Sequence, residues 1–241
     1  MICSPGFYAY RLILFLSLIG LSLGPAQAHL IGGSQILSYS DVDTLAGWLG
    51  EGPLQLKNIF STDNDGTNTP ADFHAACDGM GRTFSIYSVT KGGNNYIIGG
   101  YNPQSWDTGG SHITWPLEQR TAFIFNLTTG LYQGQRTDKE GSVQTHNLED
   151  LWPHFGNYDL NGFTNPDDPM PYYLASTNYG VGGTYEQNLF GEKRGSRFTT
   201  NRLEVFVISP VPEPSLGLLL LLGIVPLGLI YRRRRRRLAA D

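Results

Sequence analysis

Three side chains able to do chemistry lie within one short stretch of this sequence: His74, Cys77 and Asp78. His74 and Cys77 are three residues apart, so on a helix their side chains would be neighbours on one face. A catalytic or redox-active cysteine needs an exposed thiolate activated by a nearby base. A cysteine on an apolar helix face is instead a small buried hydrophobic residue. The apolar neighbours favour this structural interpretation, with redox sensitivity at Cys77 as the alternative.

Two stretches resemble the start of a calcium-binding loop. Residues 63–66 place Asp63 and Asp65 on alternate positions before a glycine that permits a sharp turn. The acid that should close the loop is missing, because the next one, Asp72, falls in a predicted helix. A second partial loop begins at Asp159. Turns rich in Asp, Asn and Gly show the same pattern without a metal. These aspartates are therefore weak Ca²⁺ candidates, and no other cofactor is predicted.

Other kinds of chemistry find less support. The pair Glu149-Asp150 could serve glycoside hydrolysis, which needs two acids at a set separation, but adjacent acids usually lie on a solvated surface. The sequence has no nucleophile elbow, phosphate loop or zinc-protease motif. A metal site would need further ligands, and the other histidines, His112, His146 and His154, do not have the spacing of metal ligands. Aromatic residues that could stack on sugars, or equally fill a sheet core, are Trp115, Trp152, Tyr158, Tyr172 and Tyr173.

Two short helices are predicted to position the first group of residues. Ser40, with an acid three residues on, reads as an N-cap, and Gly50 as the stop of the same helix. The second helix has Thr69 as cap and Pro70 at its first position, and it ends at Gly79. The residues predicted to face the core from this second helix are Phe73, Ala76 and Cys77.

The rest of the domain has the period-2 pattern of strands. Residues 83–89 and 95–101 alternate on either side of a glycine turn and predict a hairpin. Residues 121–127 are almost all apolar and predict a central strand. Few clear elements are predicted between 128 and 168. The remaining predicted strands are 54–60, 172–174 and 203–208. The pattern predicts an α+β domain built on antiparallel sheets.

Several of these pieces, in this order, resemble the TLDc domain family. The stretch 71–79 is similar to the family's helix end, 99–106 to its GGY-x4-W stretch, and 122–127 and 203–206 to two of its strands. Phe155-Gly156 with Asp159-Leu160 resembles a further element. The motif residues are Asp72, Phe73, His74, Cys77, Asp78, Gly79, Gly99, Gly100, Tyr101 and Trp106. Physically, Gly99 and Gly100 permit close packing on a strand, with Trp106 predicted to cover the gap.

The resemblance implies a sandwich of two antiparallel sheets with short flanking helices. Relatives in eukaryotes are linked to oxidation resistance and to binding the vacuolar proton pump, without established catalytic machinery. The segments 128–153 and 165–171 depart from the family pattern, so the resemblance does not carry a binding surface over to this chain.

The N-terminal 28 residues have the pattern of a secretory signal peptide. Arg11 precedes a short apolar run, and Ala26-Gln27-Ala28 is a small-x-small triplet that predicts cleavage after Ala28 by signal peptidase. The run is shorter than a membrane span, although an N-terminal anchor is the alternative. Cys3 would leave with this peptide, so Cys77 would be alone and no intramolecular disulfide could form.

The C-terminal residues 211–241 resemble the PEP-CTERM sorting signal of Gram-negative bacteria. Val211, Pro212, Glu213 and Pro214 precede an apolar run of 17 residues, which would span about 25 Å as a helix. The resemblance implies cutting near the Pro-Glu-Pro by an exosortase-type protease, while a permanent anchor is the alternative. The cluster that would keep the end of the run in the cytoplasm is Arg232, Arg233, Arg234, Arg235, Arg236 and Arg237.

The net charge of the predicted mature domain limits the classes of partner that it is expected to bind. Of the basic residues, 10 remain once Arg11 and the six terminal arginines are removed. Of the acidic residues, 19 remain once Glu213 and Asp241 are removed. The domain at 29–210 therefore has a net charge of about −9. A domain this acidic argues against nucleic acid and anionic lipid.

We therefore expect a noncatalytic binding module. It would be anchored in the inner membrane at first, with its domain in the periplasm, and then delivered to the cell surface or extracellular matrix, where it would bind polysaccharide or an envelope protein. The alternative is a cell-surface enzyme, either a hydrolase or a peroxide-handling protein that uses Cys77.

Overall fold

The computed structural model describes residues 29–62, 67–113, 116–162, 172–173, 178–180, 187–192 and 195–211. In chain order the elements are β1 (His29–Ile31), α1 (Tyr39–Leu49), β2 (Leu54–Ser61), α2 (Pro70–Cys77), β3 (Thr83–Lys91), β4 (Asn94–Asn102), β5 (Gly110–Ile113), a 3-10 turn (Leu117–Gln119), β6 (Phe123–Asn126), β7 (Leu131–Gly134), β8 (Val143–Asn147), β9 (His154–Phe155), β10 (Leu160–Asn161), β11 (Tyr172–Tyr173), β12 (Ser196–Arg197) and β13 (Thr199–Pro210).

The strands form two main sheets. The larger sheet has the order β1-β2-β13-β3-β4-β6-β7, and the smaller sheet has the order β10-β9-β8-β5. β11 and β12 form a separate pair. All pairs are antiparallel except β1 with β2. The prediction of a mostly antiparallel sandwich with two short helices, of the α+β class, is confirmed.

Both faces of the larger sheet are buried, because each is covered by a different layer. Toward α1, the sheet contributes Phe84 and Ile86 of β3 to one apolar core. Toward α2 and the smaller sheet, it contributes Tyr87 and Val89 of the same strand to a second core. The alternation predicted for this strand is thus confirmed. A fully buried side chain of this size stabilises the fold by about 1.5–3 kcal/mol, so these two cores supply the main driving force for folding.

The hairpin of β3 and β4 lies in the middle of the larger sheet, as its sequence predicts. Gly92 and Gly93 form the turn with φ of 57° and 81°, in the left-handed region that glycine enters at low cost. The prediction of a central strand at 121–127 needs a correction. β6 covers only Phe123–Asn126 and is second from the edge, between β4 and β7. It is apolar because both of its faces are covered, not because it is central.

The first helix begins earlier than predicted. Ser38, not Ser40, is the N-cap, and it forms a reciprocal capping box with Asp41. The sequence contains two overlapping Ser-x-x-Asp patterns here, and the earlier one lets Val42 and Leu45 face the core. The helix stop was predicted correctly, since Gly50 has φ 73°.

The expectation of few elements between 128 and 168 was wrong for the described residues up to 162. Four strands, β7 to β10, lie there and supply three of the four strands of the smaller sheet. They are two to five residues long and carry many polar residues, so neither length nor apolar periodicity marks them.

Both ends of the described domain are attached to β2. His29 of β1 pairs with Gln55, and Ser209 of β13 pairs with the same residue from the other side. The backbone N–H of Val211 then donates to the carbonyl of Pro53 at 3.4 Å. Both cores and the whole larger sheet lie within 29–211, which therefore forms one folding unit.

The buried carboxylate of Glu204 in β13 also holds the N-terminal segment. It accepts hydrogen bonds from the Ser34 hydroxyl and, at 2.9 Å, from the Gln35 backbone N–H. The segment that follows β1 is thereby fixed across the larger sheet before α1 begins.

Candidate functional site

Cys77 lies at the end of α2 with its side chain fully buried in the core. Burial raises the pKa of its thiol far above the ordinary value, and the neighbouring Asp78 carboxylate raises it further. The thiol therefore stays protonated and out of contact with solvent. An activated cysteine needs the opposite environment, so these observations favour the structural interpretation of Cys77.

His74 is buried, and both of its ring nitrogens have hydrogen-bond partners. Nδ1 lies 2.8 Å from Oδ1 of Asp78, and Nε2 lies 2.9 Å from the carbonyl oxygen of Leu148 and 3.1 Å from that of Leu151. Carbonyl oxygens only accept, so Nε2 carries a hydrogen and donates it. Neither nitrogen is left to activate the Cys77 thiol. His74 instead fixes the chain segment that runs from Leu148 to Leu151.

The positive end of the helix dipole at the start of α2 is balanced by a carboxylate of the same helix, Asp72. Asp72 accepts hydrogen bonds at 2.8 Å from both the backbone N–H and the hydroxyl of Thr69. The backbone N–H contributes most, and together the two bonds lower the pKa of the Asp72 carboxyl. The carboxylate therefore sits at the positive end of the helix dipole, where an external anion would otherwise bind.

The end of α2 contacts Trp106, the last residue of the GGY-x4-W stretch at 99–106. The Gly79 N–H donates to the carbonyl of Trp106 at 3.1 Å, and Asp78 and Trp106 form an isolated parallel bridge. The buried indole N–H of Trp106 donates to the Thr83 hydroxyl at 2.8 Å, and its ring packs edge-on against Phe73 at 5.5 Å. Motifs that lie about thirty residues apart in sequence thus meet in one cluster.

Gly99 and Gly100 need the absence of a side chain for packing, but Trp106 is not what covers them. A Cβ on Gly99 would lie 2.6 Å from the Phe125 ring, and one on Gly100 would lie 2.4 Å from the Phe155 ring. The two rings cover opposite faces of β4. Trp106 packs in turn on Phe155, with centroids 5.5 Å apart. The expectation that Trp106 fills the gap is corrected accordingly.

The calcium candidate Asp159 serves a hydrogen-bond network inside the protein. It is fully buried, and Oδ1 accepts from the backbone N–H groups of Asn178 and Tyr179 at 2.8 and 3.3 Å. Oδ2 accepts from the Asn178 side-chain amide at 2.7 Å. Within the described ranges no three His, Cys, Asp or Glu side chains are grouped to hold a metal ion. Asp63 and Asp65 lie outside the described residues.

His146 and His154 flank in sequence the segment 148–151 that His74 holds, and they are close to each other. They lie on adjacent strands, β8 and β9, with ring centroids 5.5 Å apart. Nε2 of the buried His154 accepts from the Tyr158 backbone N–H at 3.0 Å. Burial foremost, and His146 next, lower the pKa of His154 to about 3. The ring is therefore neutral near neutral pH. The backbone of His112 lies on the neighbouring β5.

An open cleft of about 800 Å³ lies between the first turn of α2 and the segment fixed by His74. We call it the α2 cleft. Its described lining residues are Thr69, Pro70, Ala71, Thr108, Leu148, Glu149 and Asp150. The wall opposite the Glu149-Asp150 pair is formed by Thr69, Pro70 and Ala71, so these described residues offer no second carboxylate across the cleft. Glycoside hydrolysis requires such a facing pair of acids.

Sequence reasoning found the helix and the two acids but not the cleft that combines them. Three separate segments build it, and the His74 hydrogen bonds join the first to the third. Trp152, considered for sugar stacking, is buried against Phe60 at 6.1 Å instead.

Several predicted processing residues lie outside the described residues. They are Ala26 and Ala28 of the predicted signal peptide, Pro212, Glu213 and Pro214, and the arginines at 232–237. Neither helix of the described part of the chain is long and apolar enough to cross a membrane.

Comparison with known proteins agrees with the motifs. The model of the TLDc domain family matches residues 30–209, which include every described strand except the ends of the first and last. The search of curated proteins gives no match.

Proposed function

The chain belongs to the TLDc domain family, and from that premise we propose that it is an exported, noncatalytic binding module. It acts at the cell surface or in the extracellular polymer, where it binds a component of the envelope. One observation carries this proposal: the two most reactive side chains of the family motif, His74 and Cys77, are both committed to structure. Cys77 fills the core, and His74 holds one wall of an open cleft.

Export and sorting form the second half of the proposal. Signal peptidase cuts after Ala28, and an exosortase-type protease cuts near Pro212–Pro214, as the resemblance to PEP-CTERM proteins implies. The described fold supports this division, because β1 starts at His29 and β13 ends at Pro210. Both proposed cutting sites are therefore adjacent in sequence to the ends of the described larger sheet, so cutting there would leave that sheet intact. The product carries a charge of about −9 and no membrane segment.

Processing is tested by the mass of the mature protein. The full chain is expressed in a Gram-negative host that has an exosortase and in the same host without it. We expect a surface form that starts at His29 and lacks the arginine cluster only in the first host. Replacing Pro212, Glu213 and Pro214 together with alanine should block the C-terminal cut. The same C-terminal mass in both hosts would refute the sorting proposal.

The noncatalytic character is tested separately with Cys77→Ser. Peroxide consumption by residues 29–211 should be at the buffer rate for both the wild type and the variant, because the thiol is buried and protonated. Peroxide consumption by the wild type above the buffer rate that is lost in Cys77→Ser would overturn this part of the proposal.

The binding function itself is tested on cells. Saturable binding of fluorescently labelled 29–211 to cells that lack the gene is the expected positive result.

A further inference from the structure

We propose that the α2 cleft binds a positively charged peptide segment of another envelope protein, in which a Lys or Arg adjoins an apolar residue. This inference rests on the proposed binding function, because it names the partner class of that module. Four features of the cleft support it: its apolar surface, its charge, its rigidity and the kinds of side chain that line it.

The apolar surface comes from both walls. Pro70 and Ala71 belong to the first turn of α2, and Leu148 lies opposite with 38% of its surface exposed. An exposed leucine alone is ordinary on a protein surface. Here it lies in a concave site together with two other apolar residues, so an apolar side chain placed between the walls would be removed from water.

The negative charge of the cleft favours the binding of a cationic side chain. Glu149 and Asp150 are both exposed at its rim, and the described lining residues include no basic side chain. The start of α2 would normally attract an anion, but the carboxylate of Asp72 already occupies it through its bonds to Thr69. The domain as a whole is about −9, which adds a field of the same sign. An anionic polysaccharide is therefore repelled, and a Lys or Arg side chain is attracted.

The acidic wall is held in place before any partner arrives. The Nε2 of His74 donates to the carbonyls of Leu148 and Leu151, and the Leu151 N–H donates to the Leu148 carbonyl at 2.9 Å. Directly after this turn the ring of Trp152 is buried in the core. A prearranged site loses less conformational entropy on binding than a flexible one, so weak individual contacts can give measurable affinity.

The lining also favours a peptide over a neutral glycan. Sugar-binding sites present aromatic faces, and none of the described lining residues is aromatic. The combination present here, small apolar residues beside two carboxylates, matches an apolar side chain followed by a cationic one. Exposed ion pairs contribute about 0.2–1 kcal/mol each, so loss of both acids should weaken binding about 2- to 30-fold.

The test begins with a displayed library of random heptapeptides selected on residues 29–211. The selected peptides should be enriched in Lys or Arg next to an apolar residue. Synthetic versions of the best peptides, and versions with Gln or Glu in place of the basic residue, are then measured by fluorescence anisotropy. Affinity should fall with Gln, fall further with Glu, and fall as salt rises because the ion pairs are exposed.

Two variants with matched controls locate the site. Glu149→Gln with Asp150→Asn should weaken binding about 2- to 30-fold, whereas Asp43→Asn with Glu118→Gln, which changes the net charge equally at exposed positions outside the cleft lining, should not. Ala71→Trp should fill the cleft and lower affinity at least about 10-fold, a loss of about 1.4 kcal/mol. Ala75→Trp, on the same helix and also exposed but outside the lining, is its control.

The outcomes separate this inference from the proposed function. Selection of acidic or uncharged peptides, or equal affinity of the cleft variants and their controls, would overturn the inference. If the cleft variants still bind cells like the wild type, the module binds elsewhere and only this inference fails. If cleft-dependent peptide binding is found but no variant binds cells, the cleft assignment stands and the proposed surface function fails.

Discussion

The two sides of the larger sheet are buried by different chemistry. The side toward α1 is filled mainly by aliphatic and aromatic residues, such as Phe84, Tyr101 and Phe206, although the buried Glu204 carboxylate bonds the segment after β1 there. The side toward the smaller sheet contains an apolar core too, but there the strands are joined by buried polar groups. The Gln144 amide donates to Asn102 at 2.8 Å, and the Asp159 carboxylate accepts three hydrogen bonds.

This difference means that the two sides respond to different disturbances. An apolar core is sensitive to volume and shape, since its contacts are numerous and weak. A buried polar network is sensitive to the loss of one partner and to protonation, because each group left unpaired keeps its full desolvation cost. The following predictions test this contrast, from the largest expected effect to the smallest.

Replacing Asp159 with alanine should have the largest effect. The change leaves two backbone N–H groups and one amide without their acceptor inside the protein, so the free energy of unfolding should fall by about 3–5 kcal/mol. Urea unfolding followed by circular dichroism measures it. The control, Asp138→Ala, removes an exposed acid and should change stability by under about 1 kcal/mol. Equal losses in the two variants would contradict a structural role for the buried carboxylate.

Gly99→Ala should disturb the apolar side. The added Cβ would lie 2.4 Å from the Ser85 carbonyl oxygen and 2.6 Å from the Phe125 ring. Overpacking against backbone should cost about 3 kcal/mol, measured by the same unfolding experiment. Gly47→Ala is the matched control, because no atom lies within 4 Å of its added Cβ. In the helix this change should stabilise the protein by about 0.5–1 kcal/mol.

Acid should weaken the smaller sheet first. His154 has a folded-state pKa of about 3, well below the ordinary value of 6.5. The unfolded chain therefore binds the proton more readily, and the stability due to the neutral ring is present above pH 6.5 and lost as pH falls toward 3. Between about pH 7.5 and about pH 5 this group alone should remove about 2 kcal/mol.

The His154 contribution can be isolated by comparing slopes. His154→Gln has no ring to protonate, so its stability should depend less on pH than that of the wild type across this interval. The protection factor of the Tyr158 amide, which donates to His154, should fall on acidification when the observed exchange is corrected for the slower intrinsic exchange at low pH. Identical pH slopes for the two proteins would show that the ring does not titrate as its burial requires.

The smallest effect is expected for a surface ion pair. Arg82 and Glu51 contact each other with side chains that are 30% and 40% exposed. Glu51→Gln should change the free energy of unfolding by less than about 1 kcal/mol, because solvent and salt screen the pair. A loss comparable to that of Asp159→Ala would show that charge matters in this fold regardless of burial.

The same contrast explains how much of the fold the sequence could predict. The hairpin of β3 and β4 and the part of β13 at 203–208 were predicted because apolar alternation and glycine turns are local signals. The smaller sheet was missed because its polar residues are paired with distant partners: Gln144 bonds a residue 42 positions away, and Asp159 one 19 positions away. Periodicity within a short window cannot reveal such pairs.

The candidate site shows the same limit. The helix that carries His74 and Cys77 was correctly located, and burial of Cys77 was the favoured interpretation. That the His74 ring holds the carbonyls of residues 148 and 151 could not be predicted, because 74 and 77 residues separate the partners. The interpretation of Asp159 as a calcium candidate failed to anticipate its network for the same reason. Local Asp-rich patterns do not tell which carboxylates become buried.

The position of the two chain ends on β2 has a mechanical consequence. His29 and Ser209 flank the same residue, Gln55, on neighbouring strands, so the two ends leave the domain only about 10 Å apart. The α2 cleft lies near the other end of β2, where Phe60 packs against α2, about 17 Å further along the strand. A tether attached through either end would therefore pull on the end of β2 that is away from the α2 cleft.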